Sequence, residues 1–435
     1  METKTENLMV STERSRKRSP WFYVPTLYFA EGLPYVIVNT VSVAMYTKMD
    51  IPNALIGLTS SLYLPWVVKP LWGPTVDLFS TKRRWILMTQ LIMAIGFALV
   101  GAVLHLPSFF VFSLVFFTLI AFTSATHDIA TDGFYLLALP EDKQAFFVGI
   151  RSTFYRLAMI FGSGILVVLA GRVETNTGNI LLSWTTVMLV AATILGALFL
   201  FHSFYLPRPA TDRRVTKDEK AKTGTPFFAA FKTYFQQEGI IPIIAYIVLY
   251  RFGEAMLVKM ATPFLLGKAE TGALALSTGT FGLVYGTVGV LCLVVGGIIG
   301  GWLISKFGLR RCLWPMAFAI NAPDLVYVYM AYVKPSLPVV YAMVGIEQLG
   351  YGIGFAAFMV FLMHTAKGEF KTSHFAISTG IMALGMMIPG LLSGYLQQAL
   401  GYGKFFILVC LATIPGMITI FFLPMKDEKN AAGQA

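Results

Sequence analysis

Twelve apolar stretches, each long enough to cross a bilayer as an α-helix, constrain this chain more than any other feature. They run over roughly 21–46, 54–78, 85–104, 108–138, 142–171, 179–205, 239–267, 276–304, 311–333, 336–366, 372–399 and 404–424. A spanning helix needs about 20 predominantly apolar residues. In hydrocarbon every backbone N–H and C=O has to be satisfied internally, and stretches of this length do so as helices. The expected fold class is therefore an all-α integral membrane protein with twelve transmembrane helices. Composition agrees: 13% of the residues are charged, against about 25% in a soluble domain. No cleavable leader is expected, because Arg14, Arg16, Lys17 and Arg18 precede a first span too long for a signal-peptide core.

Orientation follows from the Lys and Arg content of the loops. With the N-terminus inside, the inner segments carry 23 cations and the outer loops five: Lys48, Arg172, Lys268, Lys334 and Lys404. Both ends are thus expected in the cytoplasm. The same bias accounts for the formal charge of +11. The cations are spread over inner loops instead of lining one reading face, so no nucleic-acid partner is expected.

The longest polar break, 206–238, falls between spans six and seven and reads as a cytoplasmic linker. It divides the chain into a tail (1–20), a first six-helix bundle (21–205), a second (239–424) and a C-terminal tail (425–435). A repeated turn supports two halves. Gly73 and Asp77 precede Arg83 and Arg84 after span two; Gly301 precedes Arg310 and Arg311 after span eight. Glycine permits close helix approach. Arginine bonds helix-end carbonyls and so latches one arrangement.

Ten charged residues fall within the spans: Glu31, Lys69, Asp128, Asp132, Arg151, Arg156, Arg251, Glu254, Lys259 and Glu347. A charge at the bilayer centre costs about 2.5–3.5 kcal/mol on insertion scales. Ten facing lipid would cost roughly 30 kcal/mol, more than the net stability of a fold. They are expected to face one another, water or a solute. Five acids and five bases make mutual pairing possible. Asp324, in span nine, is expected near the outer end or beside a neighbouring partner.

Asp128 and Asp132 lie four apart, on one helix face. Two acids so close do not both ionise easily, so the pair reads either as a proton-coupling site or as a structural pair matched by Arg151 and Arg156. Glu31 stands beside Gly32 and Pro34, which weaken helical bonding there, and a buried acid at a broken helix is a typical ion or solute site. Arg251 and Glu254, three apart, read as a pair within one helix, with Lys259 a turn or two beyond. Arg251, Lys259, Lys69 and Arg156 are candidates for holding an anion. Glu347, Gln348 and Tyr351 read as a polar and aromatic wall. His127 reads mainly as a packing residue.

The repeated turn resembles the loop signature of the major facilitator superfamily. The phrases YFAEGLPY, KPLWGPTVD, SATHDIATDGFY, FYRLAM and LYRFGEAM resemble those of AmpG-type muropeptide permeases, in the same order. The resemblance implies two six-helix bundles rocking about a midplane site, with spans one, four, seven and ten lining it. It implies proton-driven import of anhydro-muropeptides across the bacterial inner membrane. Asp128, Asp132, Arg156, Arg251, Glu254 and Lys69 are the site or gate positions it nominates. The chain departs from the family pattern at His127 and Glu31.

The function expected from the sequence is proton-coupled import of a muropeptide or anhydro-amino-sugar by alternating access. Asp128, Asp132, Glu31 and Glu254 would couple or gate. Arg251, Lys259, Lys69, Arg156, Arg151, Glu347, Gln348 and Tyr351 would bind solute. A carrier of another sugar or anionic metabolite is the alternative. A membrane-embedded transferase fits poorly, since five histidines are scattered without metal-ligand spacing. No nucleotide cradle of the Gly-x4-Gly-Lys-Ser/Thr kind occurs. Cys292, Cys312 and Cys410 stand singly, so neither a disulfide framework nor a metal site is expected. No cofactor is expected; the partners are the solute, protons and the bilayer, and the chain is expected to act as a monomer.

Overall fold

A computed structural model describes residues 19–209, 211–213, 229–366 and 370–424. Most of the linker and both tails, and the side chain of Asp77, lie outside the described residues. The described residues are largely helical, and eleven helices among them are long and apolar enough to cross a membrane. They are α1 (Pro20–Lys48), α2 (Asn53–Gly73), α3 (Lys82–Val103), α4 (Phe109–Ala138), α5 (Phe146–Thr177), α6 (Ile180–Tyr205), α7 (Ile240–Leu266), α8 (Thr278–Phe307), α9 (Leu309–Val333) and α10 (Leu337–Thr365), followed by Ser373–Phe422. The last runs for 50 residues, about 75 Å if it were straight, far more than a hydrocarbon core of about 30 Å. Gly401 breaks it with φ 71° and ψ 165°, a conformation that glycine adopts without a Cβ penalty. We therefore treat 373–400 as α11 and 402–422 as α12.

Large apolar side chains such as Phe204 and Ile241 are 77% and 79% exposed, as lipid-facing positions are. Several helices loosen locally. Residues Ile37–Val41, Phe161–Leu166 and Gly282–Gly289 adopt the wider π-helical winding, which recurs at functional sites.

Contacts between the first six helices and the last six run through α2 against α11, α5 against α8 and α1 against α7. At one end these seams are tight. A Cβ on Gly171 would fall 2.3 Å from the Gly279 nitrogen, and one on Gly394 would fall 1.9 Å from the Asn53 carbonyl oxygen. Small residues let backbones touch in this way. The same end carries Lys48–Glu174 at 2.9 Å and Lys268–Asp50 at 2.8 Å. The Thr278 hydroxyl also donates to Glu174, and the Asn53 amide to Gln397 at 2.6 Å and to Tyr402 at 2.9 Å.

Gly73, Gly149 and Gly301, toward the opposite end, would meet nothing within 4 Å of an added Cβ. The repeated-turn glycines Gly73 and Gly301 thus do not bring helix ends together here. Arg83 does reach helix-end carbonyls, donating to Ser203 at 2.6 Å and Leu206 at 3.4 Å at the end of α6. The carboxylate of Asp212, read from sequence only as part of a solvated loop, accepts from the backbone N–H groups of Lys82 and Arg83 at 2.7 and 3.0 Å. It thereby caps α3. Thr81 accepts from the Arg84 N–H at 3.2 Å. Arg310 and Arg311 are exposed at the start of α9.

Candidate functional site

The intramembrane charges collect in three places. The first lies among α1, α2, α4 and α5. Gly32 lets α5 come close, since a Cβ there would fall 2.8 Å from the Tyr155 carbonyl oxygen. Lys69 pairs with Asp128 at 3.4 Å, and the Trp66 indole donates to the same carboxylate oxygen at 3.1 Å. Arg151 pairs with Asp132 at 3.2 Å, and the Tyr28 hydroxyl donates to that oxygen at 2.9 Å. The Arg151 guanidinium lies over the Tyr28 and Tyr135 rings at 5.4 and 5.2 Å. One carboxyl oxygen of Glu31 is buried here without a hydrogen-bond partner.

The structural pairing of Asp128 and Asp132 therefore uses Lys69 and Arg151. Arg156 takes no part. Among the described residues it has no carboxylate within 4 Å, and it reaches from α5 to within 3.9 Å of the Cβ position of Gly297 on α8. His127 faces away from the two aspartates. It meets the Gln90 amide at 3.1 Å, Gln90 meets His202 at 3.0 Å, and His202 meets Thr26 at 2.9 Å. This buried network ties α1, α3, α4 and α6 together.

The second place is the seam between the halves. A small cavity of about 20 Å³ is lined by Asn39, Ser60, Tyr63, Lys259, Thr262 and Tyr285 among others, room for about one water. Lys259 donates to the Thr59 hydroxyl at 3.0 Å. The Asn39 carbonyl and Ser60 hydroxyl oxygens are buried there with no partner. Sequence reasoning passed over Asn39, Ser60 and Tyr63. An amide in the middle of a first span was the available signal; a serine and a tyrosine in α2 gave none.

The third place lies among α7, α8, α9 and α10. Arg251 and Glu254 do not form the expected ion pair. The guanidinium donates to the Tyr351 hydroxyl and lies 5.2 and 4.9 Å from the Tyr351 and Phe355 ring centres. Both carboxyl oxygens of Glu254 are buried with no partner. Glu347 accepts from the Gln348 amide at 3.2 and 3.0 Å and from the Tyr327 hydroxyl at 3.4 Å. Asp324 does not have the neighbouring partner that is one of its two expected settings. It is wholly buried, its oxygens lack partners, and the charges acting on it are Glu254 and Glu347.

Mutual pairing thus reaches only two of the five bases. Arg156, Arg251 and Lys259 have no carboxylate within 4 Å among the described residues; Arg156 and Lys259 reach across to the other six helices, while Arg251 contacts Tyr351 and Phe355 on α10. Also among the described residues, no three His, Cys, Asp or Glu side chains are placed to hold a metal ion.

Apolar helices on the outside and charged groups gathered in the interior are those of a polytopic membrane transporter. The model of the Major Facilitator Superfamily matches residues 26–258, and the chain belongs to that family. It is 27% identical over 399 residues to the anhydromuropeptide permease of Escherichia coli K12, covering 91% of this chain and 77% of the permease. It is 25% identical to an uncharacterized protein of Haemophilus influenzae, covering 92% and 94% of the two chains. The crystal structure of the nucleoside transporter NupG has the same fold, with a TM-score of 0.69 at 14% identity over 92% of this chain and 98% of that one. So does a D-xylose–proton symporter, with a TM-score of 0.70 at 11% identity over 92% and 97%.

Proposed function

We propose that this protein imports an anionic, sugar-containing solute, a muropeptide or anhydro-amino-sugar, across the bacterial inner membrane in symport with protons. The observation that carries the reading is the set of three cations without carboxylate partners, Arg156, Arg251 and Lys259, along the seam. Leaving a buried cation unpaired is expensive unless a ligand compensates it. Lys259 lies eight positions beyond Arg251, about 12 Å along a helix, a separation suited to an elongated solute with more than one acidic group. Tyr35, Tyr63 and Tyr351 offer ring faces and hydroxyls for a sugar. The named E. coli permease supports the solute class.

Two six-helix bundles with cytoplasmic termini fit the loop charges and the three seams. In that orientation the tight end carrying Lys48, Glu174 and Asn53 is the outer one, and the conformation is closed toward the outside. The pair Asp132–Arg151, with side chains 51% and 34% exposed, is then wetted from the inside. Protonation of Asp128 or Asp132 would release Lys69 or Arg151 and so bias the two access states.

The test is uptake of labelled anhydromuramyl peptide into proteoliposomes with and without an inward proton gradient. Gradient-driven accumulation, competed by muropeptides but not by neutral hexoses, is expected. Accumulation indifferent to the gradient removes the proton step, and competition by hexoses alone removes the anionic solute.

A further inference from the structure

The three buried acids of the C-terminal half, Glu254 on α7, Asp324 on α9 and Glu347 on α10, have no role in the ion pairs described above. All three are 0% exposed. They come from three helices and act on one another. The groups facing them are Arg251 from α7, Tyr285 from α8, Tyr327 from α9, Gln348 and Tyr351 from α10, and Cys410 from α12. Arg251 is the single cation in that set, and its hydrogen bond goes to Tyr351.

The charge count is decisive. Three ionised carboxylates with one guanidinium would leave two uncompensated negative charges in a dry interior, which groups in such places avoid by taking up protons. The hydrogen bonds say which acids take them. Glu347 is surrounded by donors, two contacts from Gln348 and one from Tyr327, and donors favour the ionised form. Glu254 and Asp324 have no donor at either oxygen. A shared metal ion is disfavoured because, among the described residues, no three acids converge on one point.

We propose that Glu254, Asp324 and Glu347 form a proton-binding site in the C-terminal half, with protons on Glu254 and Asp324 in the state seen here. Glu254 sits three residues from Arg251, one helical turn away. An anionic group that engages Arg251 offsets the positive charge that would otherwise favour ionised Glu254. Solute binding therefore tightens proton binding at Glu254, and by reciprocity the proton tightens solute binding. The assignment of this coupling rests on the reading of the protein as a proton symporter; the two protonated carboxyls do not.

Two measurements test it separately. Infrared difference spectra of the purified full-length protein at neutral pH, without solute, should show protonated-carboxyl C=O bands, one lost in Glu254→Gln and another in Asp324→Asn. Absence of such bands, or bands that survive both substitutions, overturns the site. Thermal melting of each variant, with Asp324→Glu as the conservative control, identifies folded protein for the comparison. The second measurement is the proton-to-solute ratio, from reversal potentials with labelled anhydromuramyl peptide, which is independent of how fast a variant turns over. The ratio should fall by one in Glu254→Gln. An unchanged ratio, or accumulation driven by a sodium gradient, overturns the coupling. Wild-type uptake that ignores the proton gradient instead overturns the symporter reading, with the infrared result unaffected.

Discussion

The two charged clusters hold three acids each and solve the same electrostatic problem differently. In the N-terminal half, Asp128 and Asp132 have Lys69 and Arg151 as partners, and the pairs are partly exposed, from 12% at Asp128 to 51% at Asp132. In the C-terminal half, Glu254, Asp324 and Glu347 are completely buried and have one cation between them. Water reaches the Asp132–Arg151 pair, which can open at low cost, while Lys69–Asp128 is more enclosed. The second set is out of reach of water, and on the proposal above bound protons hold its charge down. On the proposals above, one cluster would switch partners and the other would store protons.

That contrast can be broken at several points. The largest effect is expected where the seam itself is blocked. A Cβ on Gly286 would fall 1.9 Å from the Ser163 carbonyl oxygen, so Gly286→Val should prevent α5 and α8 from closing. Uptake should fall to background, and cysteines placed near Thr278 should become reactive from the tight end. Full uptake by Gly286→Val would mean that this seam does not move in the cycle.

Next comes Lys69→Ala, which leaves Asp128 in a poorly hydrated place with only Trp66 as donor. Removing one partner of a buried pair costs roughly 3 kcal/mol, less here because the lysine side chain is 29% exposed. A melting temperature several degrees lower is expected in detergent, largely restored by adding Asp128→Leu. Asp128→Asn should lose concentrative uptake by about tenfold or more while counterflow persists, an effect on the scale of one charge-assisted hydrogen bond.

The neutral substitution Asp324→Asn should be milder in stability than Asp128→Asn, within about 1 kcal/mol, because on the proposal above it replaces an uncharged carboxyl and leaves no cation stranded. A larger loss for Asp324→Asn than for Asp128→Asn would reverse the assignment of the two clusters. The smallest effect is expected at Asp132–Arg151. A double-mutant cycle there should give a coupling of less than about 1 kcal/mol that shrinks with added salt, as exposed pairs do.

Much of the helical framework was legible from the chain alone, because hydropathy over about 20 residues is a local property. Only the last two stretches merge, and Gly401 marks where they part. Which intramembrane residues are charged was also legible. Their partners were not. Arg151 and Arg156 lie on one helix five residues apart, and helical rotation alone sends the first to Asp132 and the second toward α8. Arg251 and Glu254 have the spacing of a pair, yet Tyr351 and Phe355 on α10 draw the guanidinium away.

The sequence by itself thus settled that this protein crosses the membrane many times and which spans carry charge, since the cost of ions in lipid depends only on residue type and depth. The tertiary structure decided that two bases find acids, that three have no carboxylate within 4 Å among the described residues, and that Asp324 is buried without a partner. Pairing depends on how helices distant in sequence rotate and pack against one another, and no local pattern encodes that angle.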